Sequence, residues 1–293
     1  MDSVRIGQVN MGRGKLATDD LLSEVRERGL DVVLIQEPHV TKSGTFASLG
    51  KSALRVILGN LPGEKPAAAV LVVNPSLGAT LITQLSGSHL VIVEIRCGKQ
   101  NFYVGSTYFQ FSEYTELHVE KLETAVRELG SADWFIGGDV NARSTLWNDP
   151  HTDGKGEKVE DMIMSGDMFC CNAGNTPTFM TPMGSAILDL TLASAQAALK
   201  IDKWRVLEHV ITSDHRLIIF DYAVKEMERQ VEISTRINVR KADWNVFRQR
   251  LAEGLFNGQS DWLEKDLHSR ADYLTSAIRS GTNRGRRPGE LRV

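Results

Sequence analysis

Ser213, Asp214 and His215 stand immediately before the apolar run Leu217-Ile218-Ile219-Phe220, so an acid and an imidazole sit at the mouth of a strand. Histidine is the side chain whose ordinary pKa lies nearest neutrality, and a neighbouring carboxylate can tune it for proton transfer. Three more carboxylates share that setting. Glu37 closes Val32-Val33-Leu34-Ile35-Gln36, Asp139 closes Trp134-Phe135-Ile136-Gly137-Gly138, and Asp189 lies within Ile187-Leu188-Asp189-Leu190-Thr191-Leu192. A carboxylate among apolar residues loses hydration unless it is paired, hydrogen-bonded or bound to a metal. A lone Asp-His pair is served equally well by a solvated loop, but four acids at strand ends point to one shared chemistry. That chemistry combines hard oxygen ligands for a divalent cation with a base poised near neutral pH.

The elements that must position these groups are legible from periodicity. Val4 to Asn10 reads as a strand, Leu16 to Arg28 as a helix with Thr18 as N-cap and Gly29 as stop, and Asp31 to Gln36 as a second strand. Further strands are expected at Arg55 to Leu58, Ala67 to Val73, Leu90 to Arg96 and Phe102 to Thr107, followed by a helix over Glu113 to Leu129. A strand ending at Asp139, a polar loop from Asn141 to Lys158 and a short helix over Val159 to Met168 come next. Thr178 to Met180, Ala186 to Leu192, Trp204 to Val210 and Leu217 to Tyr222 supply the last strands. This pattern predicts an α/β fold, a four-layered sandwich of two packed β-sheets flanked by helices, over residues 1–223. Residues 224–293 form a second region, a helical C-terminal extension with helices over Trp244 to Leu255 and Trp262 to Ile278 and a Gly/Arg-rich tail.

Composition narrows the function classes. The chain has 293 residues, 42% of them hydrophobic, enough for one large core, and no apolar run long enough to cross a bilayer, so no membrane partner is expected. Met1 to Arg5 lacks the basic and apolar signature of a secretion signal, which makes an intracellular address the expectation. The cysteines, Cys97 and the adjacent Cys170 and Cys171, fit neither a disulfide framework nor a spaced zinc motif. The formal net charge of −3 divides into −7 for residues 1–223 and +4 for residues 224–293. An acidic body is unlike a passive DNA-binding module, and it suits a site that recruits a divalent cation as local positive charge.

Taken in order, Gln8-Val9-Asn10, Gln36-Glu37-Pro38, Ser106-Thr107-Tyr108, Gly137-Gly138-Asp139-Val140-Asn141, Leu188-Asp189-Leu190 and Ser213-Asp214-His215 resemble the endonuclease/exonuclease/phosphatase superfamily of metal-dependent phosphoesterases. The resemblance covers roughly residues 4–222. Within it, the stretch from Gln8 to Arg13 with Ala17, the run Gly138 to Ser144 with Trp147, and Ser185 to Ser194 are similar to the endonuclease domain of non-LTR retrotransposon polyproteins. The tail, with Ala242-Asp243-Trp244, is similar to the linker that leads to the reverse transcriptase in such polyproteins. No polymerase sequence is present, which implies a fragment, a truncated copy or an excised domain.

The resemblance implies a Mg²⁺-dependent endonuclease, with Mn²⁺ as a substitute, that nicks one strand of double-stranded chromosomal DNA and leaves a 3′-hydroxyl as primer for a reverse transcriptase domain. Its site of action is then the nucleus. Glu37 is implied as metal ligand, with Asn10 orienting it or binding through its amide oxygen. Asp139 orients or deprotonates water, Asn141 donates to a phosphate oxygen, and His215 contacts the phosphate or shares the water's proton. Asp189 holds the imidazole, Asp214 completes the metal or water shell, and Tyr108 places a phenol near the phosphate. Ser213 and Thr178 are candidate phosphate contacts that serve as well as backbone caps. Arg13, Lys15, Arg143 and Trp147 are candidate DNA contacts from loops, where ordinary surface or core roles are equally open. Gly12 stands where some relatives, including abasic-site repair enzymes, carry an acid, which argues against repair. Two other readings stay open: a phosphatase of the same superfamily acting on a small phosphoester, and an inactive element-derived binding protein.

Overall fold

In the computed structural model, which describes residues 2–41, 46, 54–59, 64–225, 248, 249 and 252, the chain alternates strands and a few helices. The order is β1 (Ser3–Asn10), α1 (Lys15–Arg28), β2 (Val32–Gln36), β3 (Arg55–Leu58), β4 (Ala68–Val72), β5 (Gly78–Leu81), β6 (Leu90–Cys97), β7 (Gln100–Tyr108) and α2 (Thr115–Leu129). There follow β8 (Trp134–Asp139), α3 (Gly154–Ser165), β9 (Phe169–Cys170), β10 (Phe179–Thr181), β11 (Gly184–Ala186), β12 (Asp189–Ala193), α4 (Ala195–Ala198), β13 (Ile201–Leu207) and β14 (Leu217–Ala223). Two compact units divide the chain, Met1–Glu232 and Ile233–Val293. All of these elements belong to the first.

Two six-stranded sheets carry the fold, in the orders β13-β14-β1-β2-β4-β3 and β5-β6-β7-β8-β12-β9. Each contains one parallel pair, β1 with β2 and β7 with β8, while the other neighbours run antiparallel. Parallel neighbours need a crossover, and α1 and α2 supply it. Val4, Ile6, Val32, Leu34, Val70, Val93, Val104, Phe135 and Phe220 fill the space between the sheets. Ala17, Leu21 and Val25 of α1 cover the outer face of the first sheet against Val9, Val33 and Ile219. Leu122, Ala125 and Val126 of α2 and Val159 and Met162 of α3 cover the second against Ile136 and Leu190. The four-layered α/β sandwich expected from periodicity is the fold observed.

The interior is apolar at one end and polar at the other. Inward positions of β1 pass from Val4 and Ile6 to Gln8 and Asn10, because every second side chain faces the opposite sheet. Gln8 Nε2 donates to Leu190 O (3.0 Å), and Thr191 Oγ1 donates to Gln8 Oε1 (2.9 Å). Gln36 Nε2 donates to Ser106 Oγ (2.9 Å) and Gly137 O (3.2 Å), and Ser106 Oγ donates to Ile35 O (2.7 Å). These bonds join the sheets and satisfy groups that would otherwise be buried without partners.

Several sequence expectations are corrected. Thr18 does not cap α1; Gly14 occupies that place, and the Thr18 hydroxyl donates back to Gly14 O (3.0 Å) inside the first turns. The run from Ala186 to Leu192 is not one strand: β11 pairs with β10 in a separate hairpin and β12 joins the second sheet, with the chain turning between them. Helix α3 begins at Gly154, five residues before the expected Val159, since Asp153 Oδ1 accepts from Gly156 N (2.6 Å) and caps it. Strand β5 was not anticipated. Of the two expected C-terminal helices, Arg248, Gln249 and Ala252 are described as helical and the remaining positions lie outside the described residues.

Gly137 leaves the room that Gln8 occupies: a Cβ there would lie 2.4 Å from Gln8 Oε1 and 2.8 Å from Leu34 Cδ1. Gly137→Ala is therefore expected to destabilise the fold by about 1–3 kcal/mol. Combined with Gln8→Ala, the loss should be smaller than the sum of the two single changes, because the added methyl then meets vacated space. Urea denaturation midpoints at constant slope check both statements.

Candidate active site

The two parallel pairs deliver the ends of four strands to one rim. In the first sheet Asn10 pairs with Gln36, the residue before Glu37, and in the second Tyr108 pairs with Asp139, which pairs on its other side with Asp189. Asn10 Nδ2 donates to Asp139 Oδ2 (2.8 Å), a bond between buried groups that ties one rim to the other. Asn10 was expected to orient Glu37 or to bind metal through its amide oxygen; its amide nitrogen instead bonds Asp139, and its Oδ1 accepts from Gly12 N (2.8 Å).

His215 lies between two acids. Its Nδ1 is 2.9 Å from Asp189 Oδ2, and its Nε2 is 3.6 Å from Asp139 Oδ2. All three side chains are buried, and one ligand atom from each falls within 4.8 Å of the others. Burial opposes charge on the imidazole, but the charge and hydrogen bond of Asp189, then the charges of Asp139 and Glu37, outweigh it and raise His215 to about 9. Burial first, then the charge of Asp189, lifts the Asp139 carboxyl to about 7, against the opposing pull of His215, Asn141 and Asn10. The imidazole is thus held as a cation and the acid is brought near neutrality.

Glu37 stands at the cleft mouth with a backbone φ of 45°. That left-handed conformation is costly for a residue with a Cβ and marks a position held by its surroundings. Arg13 Nε is 3.2 Å from Glu37 Oε1, so this arginine, a candidate DNA contact, neutralises the acid. Burial, then Glu37 and Asp139, push the Tyr108 phenol above its usual range and keep it protonated. Glu37, Met11, Gly12, Phe179, Ser213, Asp214 and His215 line an open cleft of about 590 Å³.

The other predicted residues divide between the cleft and its supports. Asp214 is exposed on the cleft wall, and Lys15 is exposed at the start of α1. Asn141 does not continue β8 in extended form: its φ is 47°, its N donates to Asp139 Oδ1 (3.0 Å), and its Nδ2 donates to Phe109 O (2.9 Å). Ser213 Oγ donates to Asn10 O (2.8 Å) and accepts from His215 N (3.1 Å), binding the imidazole's loop to β1. Thr178 is fully buried and its hydroxyl accepts from Leu188 N and Asp189 N, both at 3.0 Å, so it braces Asp189 instead of meeting phosphate. Trp147 is 1% exposed and its Nε1 donates to Ile187 O (2.9 Å), which removes it from any stacking on DNA. Arg143 bonds Ser185 O through Nη2 (2.6 Å) and lies 3.1 Å from Asp149 Oδ1, and Asp149 Oδ2 accepts from Ile187 N (2.8 Å). Loop positions suggested DNA contacts for both residues, yet together they clamp the base of the β10–β11 hairpin.

Two supporting residues carried no sequence signal of their own. Phe179 packs its ring 4.8 Å from that of His215, and Asn172 spans β12 by donating to Asp189 O and accepting from Thr191 N, both at 2.9 Å. Nothing in a short apolar strand or an Asn-rich loop marks these contacts.

The side chains fit a hard divalent cation. Asp189 Oδ1 is buried without a hydrogen-bond partner, one ligand atom each from Asp139, Asp189 and His215 lies within 4.8 Å of the others, and Glu37 lines the adjoining cleft. Carboxylate oxygens are the donors that Mg²⁺ or Mn²⁺ takes, with water completing the octahedron.

Known proteins place this arrangement. Residues 102–219 match the family model described as endonuclease-reverse transcriptase. The putative 115 kDa protein in type-1 retrotransposable element R1DM of Drosophila melanogaster is 22% identical over 93% of this chain and 27% of its own length. The retrovirus-related Pol polyprotein from type-1 retrotransposable element R1 of Bradysia coprophila is 24% identical over 78% of this chain and 24% of its own length. The chain thus spans about a quarter of these curated relatives. Among solved structures, the endonuclease domain of TRAS1, a telomere-specific non-LTR retrotransposon, superposes with a TM-score of 0.69 and 29% identity over 76% of this chain and all of that one. The AP endonuclease LMAP from Leishmania major shares the fold alone, at a TM-score of 0.61 and 12% identity over 76% of this chain and 88% of that one. With the motifs in register and the acids and imidazole at one rim, the chain is similar to the endonuclease domains of non-LTR retrotransposons, within the endonuclease/exonuclease/phosphatase superfamily.

Proposed function

We propose that this protein is a divalent-metal-dependent DNA endonuclease that nicks one strand of double-stranded DNA and leaves a 3′-hydroxyl from which a reverse transcriptase in the full polyprotein primes synthesis. The observation that carries this reading is the chain of contacts Asn10–Asp139–His215–Asp189, which spans both sheets and ends in an open cleft. Phosphodiester hydrolysis needs a water to be deprotonated, the phosphate charge to be met and the leaving oxygen to be protonated or otherwise stabilised.

Each residue has a part in that scheme. Asp139, raised to about 7, has the affinity of a general base at neutral pH and accepts the proton of the attacking water. Asn10 and the Asn141 amide fix its two oxygens. His215, held as imidazolium by Asp189, presents Nε2–H as a positive donor to a phosphate oxygen. Tyr108, whose phenol stays protonated, offers a second donor beside Glu37. Water oxygen joins phosphorus as the bond from phosphorus to O3′ breaks, and the departing O3′ takes up a proton. Glu37, with Asp214 on the cleft wall, would hold Mg²⁺ or Mn²⁺, which would supply charge neutralisation of the phosphate when bound. Among the described residues no helix is long and apolar enough to cross a membrane. Work on chromosomal DNA places the proposed activity in the nucleus.

Supercoiled plasmid should be converted to the open circle in the presence of Mg²⁺, with chelator stopping the reaction and ligase resealing the nick. Inositol phosphates offered beside it should remain intact; turnover of these alone would replace the endonuclease with a phosphatase. His215→Ala should slow nicking by about 10²- to 10⁴-fold, measured as the single-turnover rate.

Asp189→Asn removes the largest influence that raises the imidazole, so in metal-free protein the His215 pKa should fall by about one unit or more, each unit being about 1.4 kcal/mol. Titration of the ring resonances by NMR reads it directly, and an unmoved midpoint would separate Asp189 from the imidazole's charge.

A further inference from the structure

The six residues between β7 and α2, Phe109 to Tyr114, are held firmly yet expose two aromatic rings. Phe109 is buried against the His118 ring at 5.1 Å, its N donates to Asp139 O (2.8 Å), and its O accepts from Asn141 Nδ2 (2.9 Å). Gln110 N donates to His118 Nε2 (3.2 Å), its Oε1 lies 3.2 Å from His89 Nε2, and Glu113 N donates to Gln110 O (3.0 Å). The segment is therefore fastened at both ends and built directly onto the backbone of Asp139.

On that frame Phe111 is 70% exposed and Tyr114 is 80% exposed, the only phenylalanine, tyrosine or tryptophan side chains among the described residues left so open. Leaving large rings in water forfeits the burial they could have had, and a pair of them on an anchored loop marks a contact surface. Lys155, in the first turn of α3, sets its ammonium 4.0 Å from the Phe111 ring centroid and donates to Phe111 O (2.9 Å). That lysine has no carboxylate partner among the described residues, and the nearby Glu116 is paired with Lys158. The surface thus offers flat π faces and an ammonium without a carboxylate partner, with Phe111 two residues along the chain from the amide that bonds Asp139 O, about 7 Å at full extension. Nucleobases beside an anionic backbone match both features, since each base has a face to stack and each phosphate a charge to meet.

We infer that Phe111 and Tyr114, with Lys155, form a stacking platform for a nucleobase that is unpaired next to the phosphate to be cut, an inference that rests on the endonuclease reading above. Paired bases inside a duplex hide their faces, so the platform acts on a base extruded or frayed at the site. The binding energy it supplies goes to holding the DNA, and the chemistry stays with the residues of the cleft.

The test uses the full 293-residue chain and duplexes carrying 2-aminopurine at a mismatched or a paired position, with binding measured in EDTA so that no strand is cut. The parent should quench the mismatched probe and bind that duplex more tightly than the paired one. Phe111→Ala and Tyr114→Ala should each weaken binding to the mismatched duplex by about 5- to 150-fold and abolish quenching. Phe111→Trp should restore both, and unchanged melting temperatures would show that the variants fold. Equal affinity and quenching in parent and variants would overturn the platform. Nicking with Mg²⁺, run in parallel, judges the other reading separately. A parent that cuts while its variants bind as well as it does removes the platform alone. A parent that never cuts, yet needs Phe111 to bind, removes the endonuclease and keeps the platform.

Discussion

The bond from Asn10 to Asp139 is the constraint around which the rest of the molecule is arranged. Each partner ends a strand of a different sheet, and each is almost wholly buried, so the bond forms only if the sheets meet in one register. A carboxylate so placed would be intolerable alone, and its environment answers with an amide on one oxygen, a backbone N–H on the other and an imidazole close by. Removing any one of these leaves the others facing an uncompensated charge. The arrangement is costly for the fold and useful to the site, which is the relation expected where polar groups are buried for chemistry.

Beneath that bond lies a layer whose only evident task is to keep the rims aligned. Gln8, Gln36, Ser106 and Thr191 make specific cross-sheet hydrogen bonds where aliphatic side chains would pack more simply. Apolar contacts between two sheets tolerate sliding, because dispersion has little directional preference, whereas an amide bonded to a particular carbonyl does not. The core therefore has two functions along its length: the end around Phe135, Phe220 and Tyr222 supplies cohesion, and the end around Gln8 and Gln36 supplies alignment. Backbone φ values near 45° at Glu37 and Asn141 belong to the same end, where the chain leaves its strands abruptly to turn side chains toward the cleft.

Much of this was legible in the sequence, and what was missed has a physical pattern. Strand alternation gave the sandwich, and the motif resemblance brought Glu37, Asp139, Asp189 and His215 together: Glu37 and Asp139 leave the C-terminal ends of parallel-paired strands, while Asp189 opens β12 and His215 precedes β14 at the same rim. Contacts made after a chain reversal were not legible. Thr178 was a candidate phosphate contact or backbone cap, and Trp147 and Arg143 were candidate DNA contacts from a loop, and each is engaged around residues 185–189. No local pattern announces that, since the partner atoms are backbone groups whose positions depend on how β11 breaks from β12. The same limit explains why Asn10 was assigned to Glu37: both neighbours lie within reach of a strand end, and only the register between sheets decides for Asp139.

The charge of the molecule bears on how DNA could approach it. A body carrying −7 repels a polyanion, so approach cannot rely on a broad basic face and must use local features. Around the cleft the local features are mixed: Arg13 is committed to Glu37, Arg143 to Asp149, and His215 to Asp139 and Asp189. Under the proposed reading, a cation bound beside Glu37 would add positive charge where the phosphate to be cut would lie. Affinity and chemistry would then share a single switch. On that reading, DNA held weakly elsewhere would gain its strongest contact where the reacting phosphate lies, and binding energy would be concentrated in the arrangement that leads to cleavage.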